Sequence, residues 1–213
     1  MQCSSCREVI RPIVAIDIDG TMGRYHEGLQ EHLQQYVGRT LPSGWDGTGD
    51  WEDFLGLSRK EYEDGKLSYR QGGNKRWMEP FGNPGLVTEQ LETLGIEIWV
   101  TTTRPYLRLD SVDPDTREWL RRNQVSYHHF MYDDDKYGRL YDLVGSDRVV
   151  AILEDLPEQY EEAAAYFGIL TPILIQRPHN LAFRELKSPA CQAGSLEQAQ
   201  AMIEERVKIW SSR

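Results

Sequence analysis

Short apolar runs that alternate with amphipathic helical stretches constrain this chain more than any other feature in it. Ile13-Val14-Ala15-Ile16 is one such run and Ile96 to Val100 a second; Tyr127 to Met131, Arg148 to Leu153 and Ile173 to Ile175 follow. The helical stretches between them are clearly punctuated. Asn83 can cap one, Pro84 suits its first turn, and Leu86, Val87, Gln90, Leu91 and Leu94 continue at helical spacing until Gly95. Another begins at Asp113-Pro114 and carries Trp119 and Leu120, and a third runs from Pro157 to Phe167 and closes at Gly168. Ser195-Leu-Glu-Gln198 is a capping box that opens a last helix reaching about Trp210. Apolar strands separated by helices predict a parallel sheet covered on both faces, a three-layer, Rossmann-like α/β fold.

From about Met22 to Phe81 the alternation stops. This stretch holds one helical stripe (Leu29, Leu33, Tyr36, Val37) and then a segment rich in Gly and aromatic rings: Trp45, Trp51, Phe54, Tyr62, Tyr69 and Trp77. Roughly sixty residues is too long for a plain strand-to-helix connection. The expected organisation is therefore a tail at 1–12, a core built from 13–21 and 83–213, and a small helical cap inserted after the first strand at 22–82.

Charge narrows the partners. The 24 Lys and Arg against 34 Asp and Glu give a formal charge of −10, which argues against a basic groove for nucleic-acid backbone. No run approaches the roughly 18 apolar residues of a membrane span, and MQCSSCREVIRP lacks the apolar stretch of a secretory signal. The expectation is a cytoplasmic protein with a small-molecule substrate. Cys3 and Cys6 form half of a zinc-ribbon or redox motif, but no second pair follows, so they read as part of a frayed terminus.

The chemistry concentrates at strand ends. Asp17-Ile18-Asp19-Gly20-Thr21 follows the first strand, where an open parallel sheet binds ligands. Alternation places Asp17 and Asp19 on one side and turns Ile18 to the core. Two carboxylates facing one point repel each other unless a cation sits between them, and Mg²⁺ bound together with a substrate phosphate meets that need. Thr101-Thr102-Thr103-Arg104 ends the second run, where hydroxyls can donate to phosphoryl oxygens. Lys136, after Asp133-Asp134-Asp135, can offset phosphoryl charge. Glu154-Asp155 can complete a metal site, or cap the helix that begins at Pro157.

In this order the strings resemble the four motifs of the haloacid-dehalogenase-like phosphohydrolases, over nearly the whole chain. The resemblance implies Asp17 as the nucleophile that forms an aspartyl-phosphate and Asp19 as the acid and base. It implies Thr102, with Thr103 beside it and Thr101 as the alternative, and Lys136 as phosphate holders. Mg²⁺ would be bound by Asp17, Asp19 and either Asp155 or Glu154, the latter standing where the family often has an Asp. The placement of the cap, its aromatic rings and Arg177-Pro178-His179-Asn180 resemble the 5′(3′)-deoxyribonucleotidases, which dephosphorylate nucleoside monophosphates. Trp45, Trp51, Phe54 and Trp77 are then the candidate platforms for a base, with Arg104 near the substrate. Gln71 to Arg76 is either a polar clamp or a hinge. Thr102 to Arg177 also resembles the phosphatase domain of polynucleotide kinase, which removes 3′ phosphates from nucleic-acid ends. The net charge and the long cap count against that alternative. A non-catalytic nucleotide-binding protein is the third reading.

Overall fold

The computed structural model describes residues 10–104, 109–185 and 187–212; Cys3 and Cys6 lie outside them. Six strands form one sheet: β1 Ile13–Ile16, β2 Glu97–Thr102, β3 His129–Tyr132, β4 Val149–Glu154, β5 Pro172–Ile175 and β6 Gln192–Ala193. Their order is β3-β2-β1-β4-β5-β6, and every pairing is parallel. β1 and β5 are buried along their whole length, as unbroken apolar runs must be when helices cover both faces.

Among the described residues nine α-helices flank the strands. α1 (Tyr25–Val37), α2 (Trp51–Phe54), α3 (Arg59–Gln71) and α4 (Pro84–Thr93) lie between β1 and β2. α5 (Val112–Arg122), α6 (Lys136–Val144) and α7 (Pro157–Phe167) follow β2, β3 and β4, α8 (Leu181–Arg184) follows β5, and α9 (Leu196–Ser211) closes the described chain. Strand alternation sorts the layers. Val14, Ile16, Ile98 and Val100 face Val87 and Leu91 of α4, Trp119 of α5 and Ile203 of α9. Ile13, Ala15 and Trp99 face Tyr137 and Leu140 of α6 and Ala163 and Phe167 of α7.

Between β1 and α4 the insert has its own apolar centre, in which Leu29, Leu33, Leu41, Trp51, Leu55, Leu57 and Tyr69 are buried. Each fully buried Leu there contributes about 1.5–3 kcal/mol. The Ser58 hydroxyl and the Glu61 carboxylate form a reciprocal capping box that starts α3. Entry and exit of the insert are laced together: the Arg24 amide donates to the Glu79 carbonyl at 2.8 Å, and the Phe81 amide to the Met22 carbonyl at 2.8 Å.

Some local expectations shift. Asn83 caps α4 through the Leu86 amide at 3.0 Å, and Val87 and Leu91 are buried, but Leu86 and Leu94 point to solvent. β3 starts two residues beyond Tyr127, at His129. Ser195 caps α9 by accepting from the Gln198 amide, whereas the Gln198 side chain accepts from the Gly194 amide, one residue earlier than a reciprocal box requires. β6 is only two residues long, too short to carry a periodicity.

Candidate active site

Register brings the predicted residues to one level. Ile16 pairs with Val100 on one side and with Leu153 on the other, so Asp17, Thr101 and Glu154 leave the sheet side by side at its carboxyl edge. Lys136 enters from the other direction as the first residue of α6, a helix capped by Asp135 through the Gly138 amide at 3.0 Å. Its ammonium donates to Asp17 Oδ1 at 2.7 Å and to Glu154 Oε2 at 2.6 Å, with all three groups buried.

Carboxylate oxygens of Asp17, Glu154 and Asp155 lie within 4.8 Å of one another. Three acids around one ammonium leave two units of negative charge in a buried site. Burial pushes the Asp17 carboxyl well above its usual range; Glu154 and Asp155 push it the same way, against the pull of Lys136. Asp155 is raised by burial and by Glu154. Lys136 is raised: burial alone would lower it, but Asp17 and Glu154 outweigh that.

The acids differ in what holds them. Glu154 Oε2 is shared by Lys136 and the Tyr137 hydroxyl, and Oε1 accepts from the Asp155 and Leu156 amides at 3.1 Å each. Both its oxygens are engaged, and it braces the turn into α7, whose N-cap residue Leu156 offers no side-chain cap. Asp155 Oδ1 accepts from the Thr21 hydroxyl at 3.0 Å, while its buried Oδ2 lies 2.7 Å from His179 Nε2. Gly20 explains the space at Oδ2. It sits at φ +90°, and a Cβ there would fall 2.0 Å from that oxygen. Hard oxygen donors with two units of surplus negative charge suit a hard divalent cation. Asp17 and Asp155 are the acids with oxygen to offer.

Asp19 has a different environment. Arg104 Nε donates to its Oδ2 at 2.9 Å and Nη2 to its Oδ1, and the Lys75 ammonium also reaches Oδ2. Burial would raise this carboxyl, but Arg104 and Lys75 hold it well below the usual carboxylate range. Lys75 is the surplus cation, and burial and Arg104 together pull it down to about 7 despite Asp19. Thr116 accepts from Arg104 Nη1 at 2.7 Å and fixes the guanidinium.

The threonines separate by alternation. Thr101 and Thr102 are buried and Thr103 is exposed. The Thr101 hydroxyl has no hydrogen-bond partner, and Thr102 Oγ1 accepts from the Arg104 amide at 3.4 Å.

Residues outside the sequence motifs complete the frame. Arg177 donates to the Gly20 and Thr21 carbonyls at 2.6 and 2.8 Å and stacks on Phe81, fixing the turn after Asp19. Asn180 ties the Asp155 and Ile175 carbonyls together at 2.8 and 2.9 Å. Lys75 and Arg76 do belong to a polar clamp, but one that grips acids of this chain, Asp19 and Asp115. The clue for Lys75 is a cation beside Gly72-Gly73; Tyr137 carries no clue in sequence.

Trp45 and Trp51 line a cavity of about 180 Å³ between the insert and the core, together with Gly20, His26, Phe81 and Arg177. Phe54 packs against the insert's apolar centre instead. Trp77 is 61% exposed, lies against Arg122 at 3.9 Å, and is not among the lining residues of that cavity.

No protein-family model matches this chain, and no curated protein matches it. Solved structures do, across nearly its full length. A haloacid-dehalogenase family hydrolase from Deinococcus radiodurans R1, with bound phosphate and sodium, is 15% identical with a TM-score of 0.65, covering 93% of this chain and 97% of that one. A haloacid dehalogenase-like hydrolase from Streptococcus pneumoniae is 14% identical with a TM-score of 0.58, covering 90% and 97%. The D,D-heptose 1,7-bisphosphate phosphatase from B. bronchiseptica, complexed with magnesium and phosphate, is 11% identical with a TM-score of 0.53, covering 91% and 98%. At these identities the likeness is one of fold: this chain has the fold of the haloacid-dehalogenase-like hydrolases.

Proposed function

We propose that this chain is a Mg²⁺-dependent phosphatase of nucleoside monophosphates, with residues 22–82 acting as its cap. The observation that carries this reading is the buried cluster of Asp17, Lys136, Glu154 and Asp155 at the carboxyl ends of β1 and β4. Mg²⁺ held by Asp17 and Asp155 would neutralise the acids and a phosphate oxygen together.

Asp17 Oδ1 is held by Lys136, which leaves Oδ2 to attack phosphorus. The P–O bond to the ester oxygen breaks, and that oxygen takes a proton from Asp19. Water then attacks the aspartyl-phosphate, gives its proton to Asp19, and releases Asp17 and inorganic phosphate. Asp19 can carry a proton only after one of its cations lets go. Lys75 is the one that can, because it belongs to the insert and follows Gly72-Gly73, whereas Arg104 is braced by Thr116. Arg104 and Lys75 around one acid leave a unit of positive charge for the phosphate dianion, and the Thr101 and Thr102 hydroxyls lie at the same sheet edge. Trp45 and Trp51 supply ring faces for a base.

The test is phosphate release from a panel of nucleoside monophosphates and 3′-phosphorylated oligonucleotides, with Mg²⁺ and with EDTA. Mg²⁺-dependent release from the monophosphates is expected. Release mainly from oligonucleotide ends would replace this substrate class with the end-processing one, and a protein that binds nucleotide without releasing phosphate would sink the reading.

A further inference from the structure

A second cluster stands behind the acidic one. His26, from the first turn of α1, His179, from the turn after β5, and Asp155 bring one ligand atom each within 4.8 Å of the others. The imidazole rings of His26 and His179 lie 4.3 Å apart, inclined by 36°.

One ion pair accounts for part of this arrangement and leaves His26 outside it. His179 Nε2 and Asp155 Oδ2 form a close buried pair at 2.7 Å. The His179 side chain is 7% exposed and that of Asp155 fully buried.

The surroundings keep the ligands in place. Gly47 of the insert sits at φ +89°, where a Cβ would fall 1.9 Å from the His179 carbonyl oxygen, so only glycine lets the insert close onto that residue. Trp51 meets the His26 ring edge-on at 4.9 Å. Both histidines line the cavity between insert and core, which gives an ion a way in and leaves room for a water ligand.

We propose that His26, His179 and Asp155 bind one divalent transition-metal ion of the Zn²⁺ class at the seam between the insert and the core. Two imidazoles, one carboxylate and an open position suit such an ion, with bonds of about 2.0–2.2 Å, and suit Mg²⁺ poorly. The site ties α1 to the carboxyl ends of β4 and β5, and it shares Asp155 with the acidic cluster. It does not depend on the phosphatase reading, since it stands on three side chains brought together at the seam.

The full chain, stripped of metal and held in excess Mg²⁺, is titrated with Co²⁺ while the visible absorption is recorded. One Co²⁺ per chain with the intense bands of a low-coordinate site is expected. His26→Ala and His179→Ala should each weaken Co²⁺ binding tenfold or more, and Gln30→Ala, on the same cavity wall, should leave it unchanged. Wild-type affinity in both histidine variants, or Co²⁺ binding that disappears only in Asp17→Asn, would overturn the site. Should the histidine variants not fold, X-ray absorption of the wild-type protein loaded with one equivalent of Zn²⁺ decides: scattering from two imidazoles supports the site, and its absence refutes it. Neither measurement reads phosphate release, so failure of this site and failure of the phosphatase reading are told apart.

Discussion

Asp17 and Asp19 are two residues apart and sit in opposite electrostatic settings. Around Asp17, acids outnumber cations, and everything that holds it comes from the core: β4, the start of α6 and the turn before α7. Around Asp19, cations outnumber acids, and one of them, Lys75, comes from the insert. One setting is short of positive charge and the other has some to spare, which is how a metal and a phosphate can be received side by side. The first is built once the sheet forms, whereas the second is complete only when the insert folds back onto the core.

The largest expected effect breaks the Asp17 setting. Asp17→Asn should reduce phosphate release by about 10³-fold or more with the fold intact, checked by pairing turnover with a thermal melt; retained turnover would exclude a covalent intermediate at Asp17. Next come the two lysines. Lys136→Met leaves buried carboxylates without their cation and should cost about 3–5 kcal/mol. Lys75→Met should cost about 1.5 kcal/mol, because Asp19 keeps its Arg104 fork. Urea unfolding of both variants gives the comparison, and equal losses would mean that the insert-side cluster is as integral as the core one.

Smaller effects sharpen the picture. Gly20→Ala must fit a Cβ against Asp155 Oδ2 at a positive φ and should cost about 1–3 kcal/mol, with lower Mg²⁺ affinity read by calorimetry. Trp45→Ala should raise KM for nucleotides more than for a small aryl phosphate; equal changes would assign the ring to packing alone. Trp77→Ala, on an exposed surface, should change stability by less than about 0.5 kcal/mol and leave both KM values alone.

Much of the core was legible in sequence because its signals are local. An apolar run ending in Asp17-Ile18-Asp19-Gly20-Thr21 announces a buried strand and a carboxylate-bearing turn, and Pro157 with Gly168 brackets α7 to the residue. The convergence of Asp17, Lys136, Glu154 and Asp155 could be anticipated because parallel strands deliver their ends to a common edge.

Other features were settled by contacts between residues far apart in sequence. That Glu154 spends both oxygens on Lys136, Tyr137 and two backbone amides, while Asp155 meets Thr21 and His179, follows from contacts that no sequence pattern marks. The capture of Asp19 by Lys75 spans 56 residues and that by Arg104 spans 85. The insert's aromatic rings look alike in composition, yet packing buries Trp51, sets Trp45 on a cavity wall and leaves Trp77 on the surface. Periodicity reports which face of an element is apolar. Which partners each acid meets depends on how the turns and helices of the core pack, and which ring meets a cavity depends on where the insert docks; both are decided by the tertiary fold.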